Sequence, residues 1–558
     1  MDKDNLFEKN LLALSKRNGE LSIRLSNTAV KTSRYKFLPS HSGEIIPNWV
    51  DQQGAAHPLH SMRDPRKEAK RLIETIQSEG FIVLLGLGAG FYAGDALRRE
   101  GTGFVLLVEY DLCGLAELFH NIDYTHLFED PRFRLVVDLS GEELKQLILS
   151  LYQPVLFGGI RVIPLRSRTE QLTLAGSFIT AAKAIEAAID HASSDYSVQA
   201  RFGRRWLSNI LRNLKNSCGV MGDIPSIKKA AVCAAGPSLS LQIPAIQRKR
   251  KESFLIAADT SLPCLLNAGI TPDAVISIDC QHISYYHFMD GLPEGVPLFL
   301  DLASPPLLAF RSKSFHFFTS AHPLTRYISR LWKPLPELDT SGGNVTYAAV
   351  SLAEQMGACK IELYGADFSY PGGVSYARGA YIYSLFAKHQ NRLSPLEAQC
   401  SDFLYRTPLE KITCRSNGGT DSWYYENRLL KFYRQRLEEK SLYMDAALSP
   451  VKGLGAPIRV RQVEGRKQNR KTFTAGKAVT EAEKFLLVYK NKIASLPGAE
   501  KNAVLHLESL DDEERAVFAT ILPLAAAIKH RNSIADYREL IEEAKAYTIK
   551  QIDKVLGK

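Results

Sequence analysis

The residues of this chain whose types and spacing could do chemistry fall between positions 230 and 376. Gly236-Pro237-Ser238 follows the apolar run 230–235, and Asp259 and Asp279 close two further apolar runs. Thr340-Ser341-Gly342-Gly343-Asn344 precedes apolar residues at helical spacing (Val345, Ala348, Ala349, Leu352, Ala353, Met356). A turn with two glycines lets backbone approach a ligand, and an opening helix offers unpaired N–H groups and a positive dipole end, which suit a phosphate or carboxylate. The Gly-Pro-Ser turn reads as a second strand-to-loop phosphate cradle. It matches neither the G-x-x-x-x-G-K-[ST] nor the G-x-G-x-x-G pattern, so ATP and NAD are not announced. Asp259 and Asp279 could accept hydrogen bonds from ribose or base edges, hold a metal, or cap the helices next in the chain, capping being the commonest use of Asp there. The run 360–365 reads as a strand leading to Asp367, with Tyr370 and Tyr376 beyond it. In a parallel α/β sheet these positions lie on the ligand-binding edge.

The elements that must position these residues are strands ending in polar turns. The segments AAGPSL, AADTSLPCLLNAGITPDAVISID and TSGGNVTYAAVSLAEQMGACKIELYGADFSY, in this order and spacing, resemble the central domain of the motility accessory factor (Maf) flagellin glycosyltransferases. That domain is similar to bacterial sialyltransferases that use CMP-sialic acid, and more distantly to an archaeal pterin pyrophosphokinase. The resemblance covers about 215–440. It implies that Gly236, Pro237 and Ser238, with Thr340, Ser341 and Gly342, hold the CMP part of a donor; the turn's own reading as a helix start adds Gly343 and Asn344 to that nucleotide-sugar site. The resemblance also implies that Tyr370 and Tyr376 hydrogen-bond the leaving phosphate. Three asparagines of the sialyltransferases correspond to Asp259, Asp279 and Ala235. Their catalytic histidine would precede a helix at 423–430, where this chain reads Cys414-Arg415-Ser416-Asn417-Gly418 with no histidine.

The remainder fits an ordinary globular protein: 558 residues, 45% apolar, 23% charged. No apolar run of 18 residues and no signal-peptide core occur, so the expected location is cytoplasmic, without a membrane span. Eight cysteines without a C-x-x-C pair argue for reduced buried thiols. A net charge of +10 favours an acidic partner such as a nucleotide-sugar. The basic clusters 248–251 and 459–471 lack interleaved aromatics, which argues against nucleic acid. Upstream, 81–92 reads as a buried strand turning through Gly86, Gly88 and Gly90 into a helix, and a second strand ends at Glu109, 23 residues after Gly86. This is the form of a Rossmann-like pocket, read here as scaffold. The stretch 169–214 reads as a helical connector, Met221-Gly222-Asp223-Ile224-Pro225 as a boundary, 378–419 as an irregular lid, and 480–558 as helical. The expected architecture is thus α/β: an N-terminal Rossmann-like domain with its connector (1–214), a central sialyltransferase-like domain (215–445), and a basic linker with a C-terminal helical domain (446–558).

The expected function is transfer of a nonulosonic acid of pseudaminic or legionaminic type from its CMP donor to Ser/Thr of flagellin, with no cofactor. Such a transfer needs leaving-group stabilisation by N–H and hydroxyl donors as an oxocarbenium-like centre develops. Asp367 and His322 are the candidate general bases. The alternatives are a pterin pyrophosphokinase, in which Asp259, Asp279 and Asp367 would bind Mg²⁺ with ATP, and a non-enzymatic flagellin-binding assembly factor.

Overall fold

The structure, a computed structural model, describes residues 3–30, 33–171, 173–217, 224–414, 422–461, 475–500, 502–534 and 536–557. The boundary expected at 221–225, the stretch 415–418 and most of the basic run 459–471 therefore lie wholly or largely outside the described residues. The chain forms two compact units. The first comprises Met1–Gly203, Leu496–Arg515 and Leu522–Ala546, and the second Arg204–Ser495, Ala516–Ile521 and Tyr547–Lys558. The closing helices (Ala482–Ser495, Ala503–Ser509, Asp512–Asn532, Tyr537–Leu556) are shared between the two units, where the sequence suggested a separate helical domain. Their side chains explain why. Asn502 Nδ2 and Lys529 Nζ donate to the carbonyls of Thr102 and Val155 in the first unit, while Tyr489 and Thr520, and Lys490 and Asp553, pair within the second.

The first unit has a four-stranded parallel sheet in the order Phe133–Val137, Phe104–Glu109, Glu79–Leu85, Gly159–Pro164. Its central strands bury almost every side chain, as β-branched and aliphatic runs do when both faces are covered. A separate three-stranded antiparallel sheet (Tyr35–Pro39, Ile45–Val50, Ala56–Pro58) precedes it.

The second unit is built on a seven-stranded, wholly parallel sheet. Its order is Phe315–Phe318, Leu298–Asp301, Ala274–Ser277, Phe254–Ala258, Lys229–Cys233, Lys360–Tyr364, Ala447–Pro450. The chain winds outward from 229–233 in one direction for five strands, then returns to its other side with 360–364. The topological switch point, where such sheets open a crevice, is therefore between 229–233 and 360–364. The helix Val345–Gln355 forms where expected because Asn344 caps the Tyr347 N–H at 3.0 Å and its apolar side chains enter the core. Two expectations beside the crevice change. The stretch 378–419 carries the helices Tyr381–His389 and Leu396–Tyr405 and the strand Glu410–Cys414. The expected helix at 423–430 begins instead as the strand Ser422–Glu426, which suits Trp423-Tyr424-Tyr425, and turns helical only at Arg428 behind the cap Asn427. That strand lies between 410–414 and Tyr370–Pro371 in a small antiparallel sheet. Among the described residues no helix is long and apolar enough to cross a membrane.

Candidate functional site

At the switch point the two loops are locked together. Asp367, 4% exposed, accepts from the Ser238 N–H (2.8 Å), the Ser238 hydroxyl and the Gly455 N–H (3.1 Å). Ser238 Oγ in turn accepts from the Leu454 N–H at 2.7 Å, and the Gly236 N–H donates to the Gly365 carbonyl at 2.8 Å. A Cβ on Gly236 would collide with Asp367 Oδ2, so this glycine serves the junction of the two loops. The turn read as a phosphate cradle is thus a clasp: the Ser238 N–H, its natural anion donor, is spent on Asp367. Burial raises the pKa of Asp367, and the bonds from Ser238 and Gly455 oppose that rise. To act as a general base, Asp367 would have to give up those bonds. The clasp also aims the chain on either side of Asp367. Gly365 (φ 65°) and Phe368 (φ 43°) turn it through the left-handed region, which a phenylalanine rarely adopts, and deliver Tyr370 to the edge.

The polar groups left over lie one step along the same edge. Asp259 is buried, accepting from the Thr260 N–H and, at 2.6 Å, from the Ser277 hydroxyl. Asp279 accepts from the N–H and amide of Gln281, and burial raises its pKa. Tyr376, Tyr381 and Tyr433 stand by these carboxylates, and Tyr370 stands by Tyr376. Tyr376 lies 6.3 Å ring to ring from Tyr381, and Tyr381 feels the charge of both Asp259 and Asp279. Tyr433, from the helix Arg428–Tyr443, feels Asp279 and borders Gly343, while the Tyr370 hydroxyl is held by the side chain of Asn427. Burial raises the pKa of all four, so they are hydroxyl donors at neutral pH. Arg406, exposed and with Cζ 3.9 Å from the centroid of the Phe403 ring, is the cation whose charge reaches Tyr370, Tyr376 and Tyr381. His287, 6% exposed, stands edge-on to Tyr381 at 4.4 Å.

The Thr340–Asn344 turn borders this group through Gly343 and Tyr433. Its N–H groups are partly used: Ser341 N–H donates to Asp339 at 3.0 Å, Gly343 N–H to the Thr340 carbonyl at 2.9 Å, and Asn344 caps Tyr347. The first N–H groups of the adjoining helix, at Val345 and Thr346, have no acceptor inside the helix. Gly342 is there for its own helix, since a Cβ would run into the Tyr347 ring; Gly343 (φ 71°) is the glycine that faces the tyrosines. His322 is elsewhere. It comes after 315–318, two strands from 274–277, whose end carries Asp279, or about 10 Å at ordinary strand spacing. It caps a helix, accepting from Leu324 N–H at 3.2 Å against Trp206, and burial lowers its pKa to about 4. Its ring packs edge-on against Trp206 at 5.3 Å, and its Nε2 has no hydrogen-bond partner among the described residues. Asp259, Asp279 and Asp367 do not converge, and no group of three His, Cys, Asp or Glu side chains suited to a metal occurs among the described residues. Sequence reading missed Tyr381, Arg406, Tyr433 and His287. Only His287 carried a local signal, a histidine eight residues past a strand-end aspartate.

The glycine-rich turn of the first unit is filled by its own protein. A Cβ at Gly86 would press on Arg168 Cγ at 2.8 Å, and Arg168, 2% exposed, reaches Glu109 at 3.0 Å and Asp111 at 3.4 Å. His60 Nε2 accepts the Ala89 N–H at 2.9 Å, Glu109 accepts the Leu87 N–H at 3.3 Å, and Tyr124 donates to the Gly88 carbonyl at 2.7 Å.

Against known proteins, a family model described as 6-hydroxymethylpterin diphosphokinase MptE-like matches residues 204–373. Two uncharacterized proteins of Treponema pallidum (strain Nichols) are similar. One is 35% identical over 182 residues, 32% of this chain and 62% of that protein; the other is 32% identical over 172 residues, 29% of this chain and 79% of that protein. The chain therefore spans less than two thirds of the first relative. A solved Maf glycosyltransferase of Magnetospirillum magneticum AMB-1 has the same fold, with a TM-score of 0.62 over 100% of this chain and 95% of that one, at 12% identity.

Proposed function

We propose, starting from a chain that belongs to one family with the second Treponema pallidum protein and has the fold of the Maf glycosyltransferase, that it is a glycosyltransferase. It moves a nonulosonic acid of the pseudaminic or legionaminic type from CMP to Ser or Thr of flagellin. The observation that carries this reading is the cluster of four hydroxyl-bearing, protonated tyrosines with Arg406 at the carboxyl edge of the second sheet. Breaking a sugar–phosphate bond puts negative charge on the leaving oxygen, and pre-placed O–H donors stabilise that charge where water is excluded. Tyr370 and Tyr376 take this role. Arg406 pairs with an anionic group of the donor, the Gly343 helix start receives another, and Asp259 and Asp279 accept from its hydroxyls.

The second reading, pyrophosphoryl transfer to a pterin, is favoured by the family match over 204–373. In it Asp259 and Asp279 would hold Mg²⁺ with ATP, without Asp367, which Ser238 occupies. Titration calorimetry separates the two. CMP binds, and CMP-linked nonulosonic acids bind more tightly, while ATP with Mg²⁺ binds more weakly. Stronger binding of Mg-ATP would hand the site to the second reading. Intact mass of flagellin co-expressed with this chain and a CMP-sugar pathway then tests the acceptor.

A further inference from the structure

Transfer to a hydroxyl needs a group to take the acceptor's proton; Asp367 is committed to Ser238 and Gly455, and His322, although its Nε2 is unpartnered among the described residues, caps a helix through Nδ1 and packs on Trp206, away from the tyrosine that His287 meets. His287 sits on the 3₁₀ helix His282–Phe288, which leaves the carboxyl end of the strand 274–277, so the fold delivers it to the same edge as Asp279. Its ring is buried, yet Nδ1 has no hydrogen-bond partner among the described residues. A buried imidazole nitrogen without a partner is costly and asks for one. The ring's surroundings are those of the site: Tyr381 edge-on at 4.4 Å, Tyr376 a further 6.3 Å on, and Asp279 within electrostatic reach.

We propose that His287 is the general base of the transfer, a catalytic residue that accepts the acceptor's hydroxyl proton. This rests on the glycosyltransferase reading above. In the step, a lone pair of the acceptor oxygen forms the bond to the anomeric carbon, and the bond from that carbon to the phosphate oxygen breaks. The electron pair leaves on CMP and the acceptor's proton passes to the His287 imidazole. Asp279, which takes no proton, stabilises the imidazolium, and Tyr381 holds the ring on edge.

The test uses His287→Gln and His287→Asn in the full-length protein, with CMP binding by calorimetry, thermal melting, and transfer to flagellin by intact mass. The expected result is a 10²- to 10⁴-fold loss of transfer rate, the usual worth of a general base, with the CMP Kd within threefold of wild type and a cooperative melt. Transfer within threefold of wild type in either variant overturns the assignment. So does loss of CMP binding or of the melt in both, which would make His287 a packing residue. A wild-type chain that binds no CMP defeats the proposed function itself and takes this assignment with it. Wild-type transfer with unimpaired variants defeats only the assignment.

Discussion

Each unit places a glycine turn and a strand-end carboxylate at the carboxyl edge of a parallel sheet, and the two edges have opposite fates. In the first unit the edge is satisfied from within: Arg168 lies against Gly86 and pairs with Glu109, and His60 takes the Ala89 N–H. In the second, the clasp of Ser238 and Asp367 satisfies only the switch point itself, and the neighbouring stretch keeps tyrosine hydroxyls, the Arg406 cation and a His287 nitrogen without a partner among the described residues. The same topology therefore makes a scaffold when the chain supplies its own counter-groups, and a binding edge when it leaves them out. Fold alone decides neither outcome.

The largest effect should come from breaking the self-satisfied edge. Arg168→Met keeps length and removes the charge, leaving Glu109 fully buried without its cation, while Asp111 keeps Arg34 at 3.2 Å. Stranding one member of a buried pair costs about 3–5 kcal/mol. Chemical denaturation should register that loss in the first unit, while CMP binding, measured where the protein is folded, stays unchanged. A variant of normal stability that gained nucleotide binding would mean that Arg168 is a gate, and the contrast between the edges would fail.

Next in size is the open edge. Tyr370→Phe and Tyr376→Phe each remove one O–H and little volume, so kcat on flagellin should fall about 10- to 1,000-fold with donor affinity little changed. A donor bond that strengthens only in the transition state costs rate and not ground-state binding. Turnover near wild type in both variants would reduce these rings to packing.

What was legible in the sequence were the local things. Apolar runs gave the strands, Asn344 gave a helix start, and the spacing of strand ends placed Asp259, Asp279 and Asp367 on one edge. What escaped was contributed from far along the chain. The clasp needs Leu454 and Gly455, 216 residues from Ser238 and 88 from Asp367, and nothing near those two residues signals their partner. Tyr381 and Arg406 sit in short helical segments whose side chains are only partly buried, so no strong apolar stripe marked them as ordered. Arg168 draws no reading from sequence, since arginines are rarely buried without a partner and its carboxylate partners are 57 and 59 residues away.

A smaller effect separates the two edges by charge. Glu109 has Arg168, but Asp301, equally a strand-end carboxylate and also buried, accepts from the Ala303 N–H at 2.8 Å and has the Ser320 side chain beside it, with no cation paired to it among the described residues. Burial raises its pKa to about 6. Because the folded value lies above the unfolded one, the folded state is favoured by protonation. That advantage is complete below the unfolded pKa of 3.8 and disappears as pH rises through 6. Asp301→Asn removes the ionisation, so its stability relative to wild type should rise by about 2 kcal/mol between pH 4.5 and pH 8, whatever constant offset the amide brings. Parallel pH profiles of the two proteins would mean that Asp301 is compensated after all.

The smallest expected effect tests whether the Gly343 turn belongs to the open edge. Gly343 has φ 71°, and a Cβ would stand 3.2 Å from Tyr433 Cε1, so the ring must yield by a few tenths of an ångström. Alanine in this conformation costs about 1 kcal/mol. Gly342 cannot serve, because its Cβ would strike Tyr347 and the turn itself would break. Gly343→Ala should therefore weaken CMP binding severalfold by calorimetry, by displacing Tyr433 at the helix start, with only a small fall in Tm. If the fall in Tm appears with CMP affinity intact, the strain is confined to the turn. The donor then does not use this helix start, and the binding edge contracts to the tyrosines and the two aspartates.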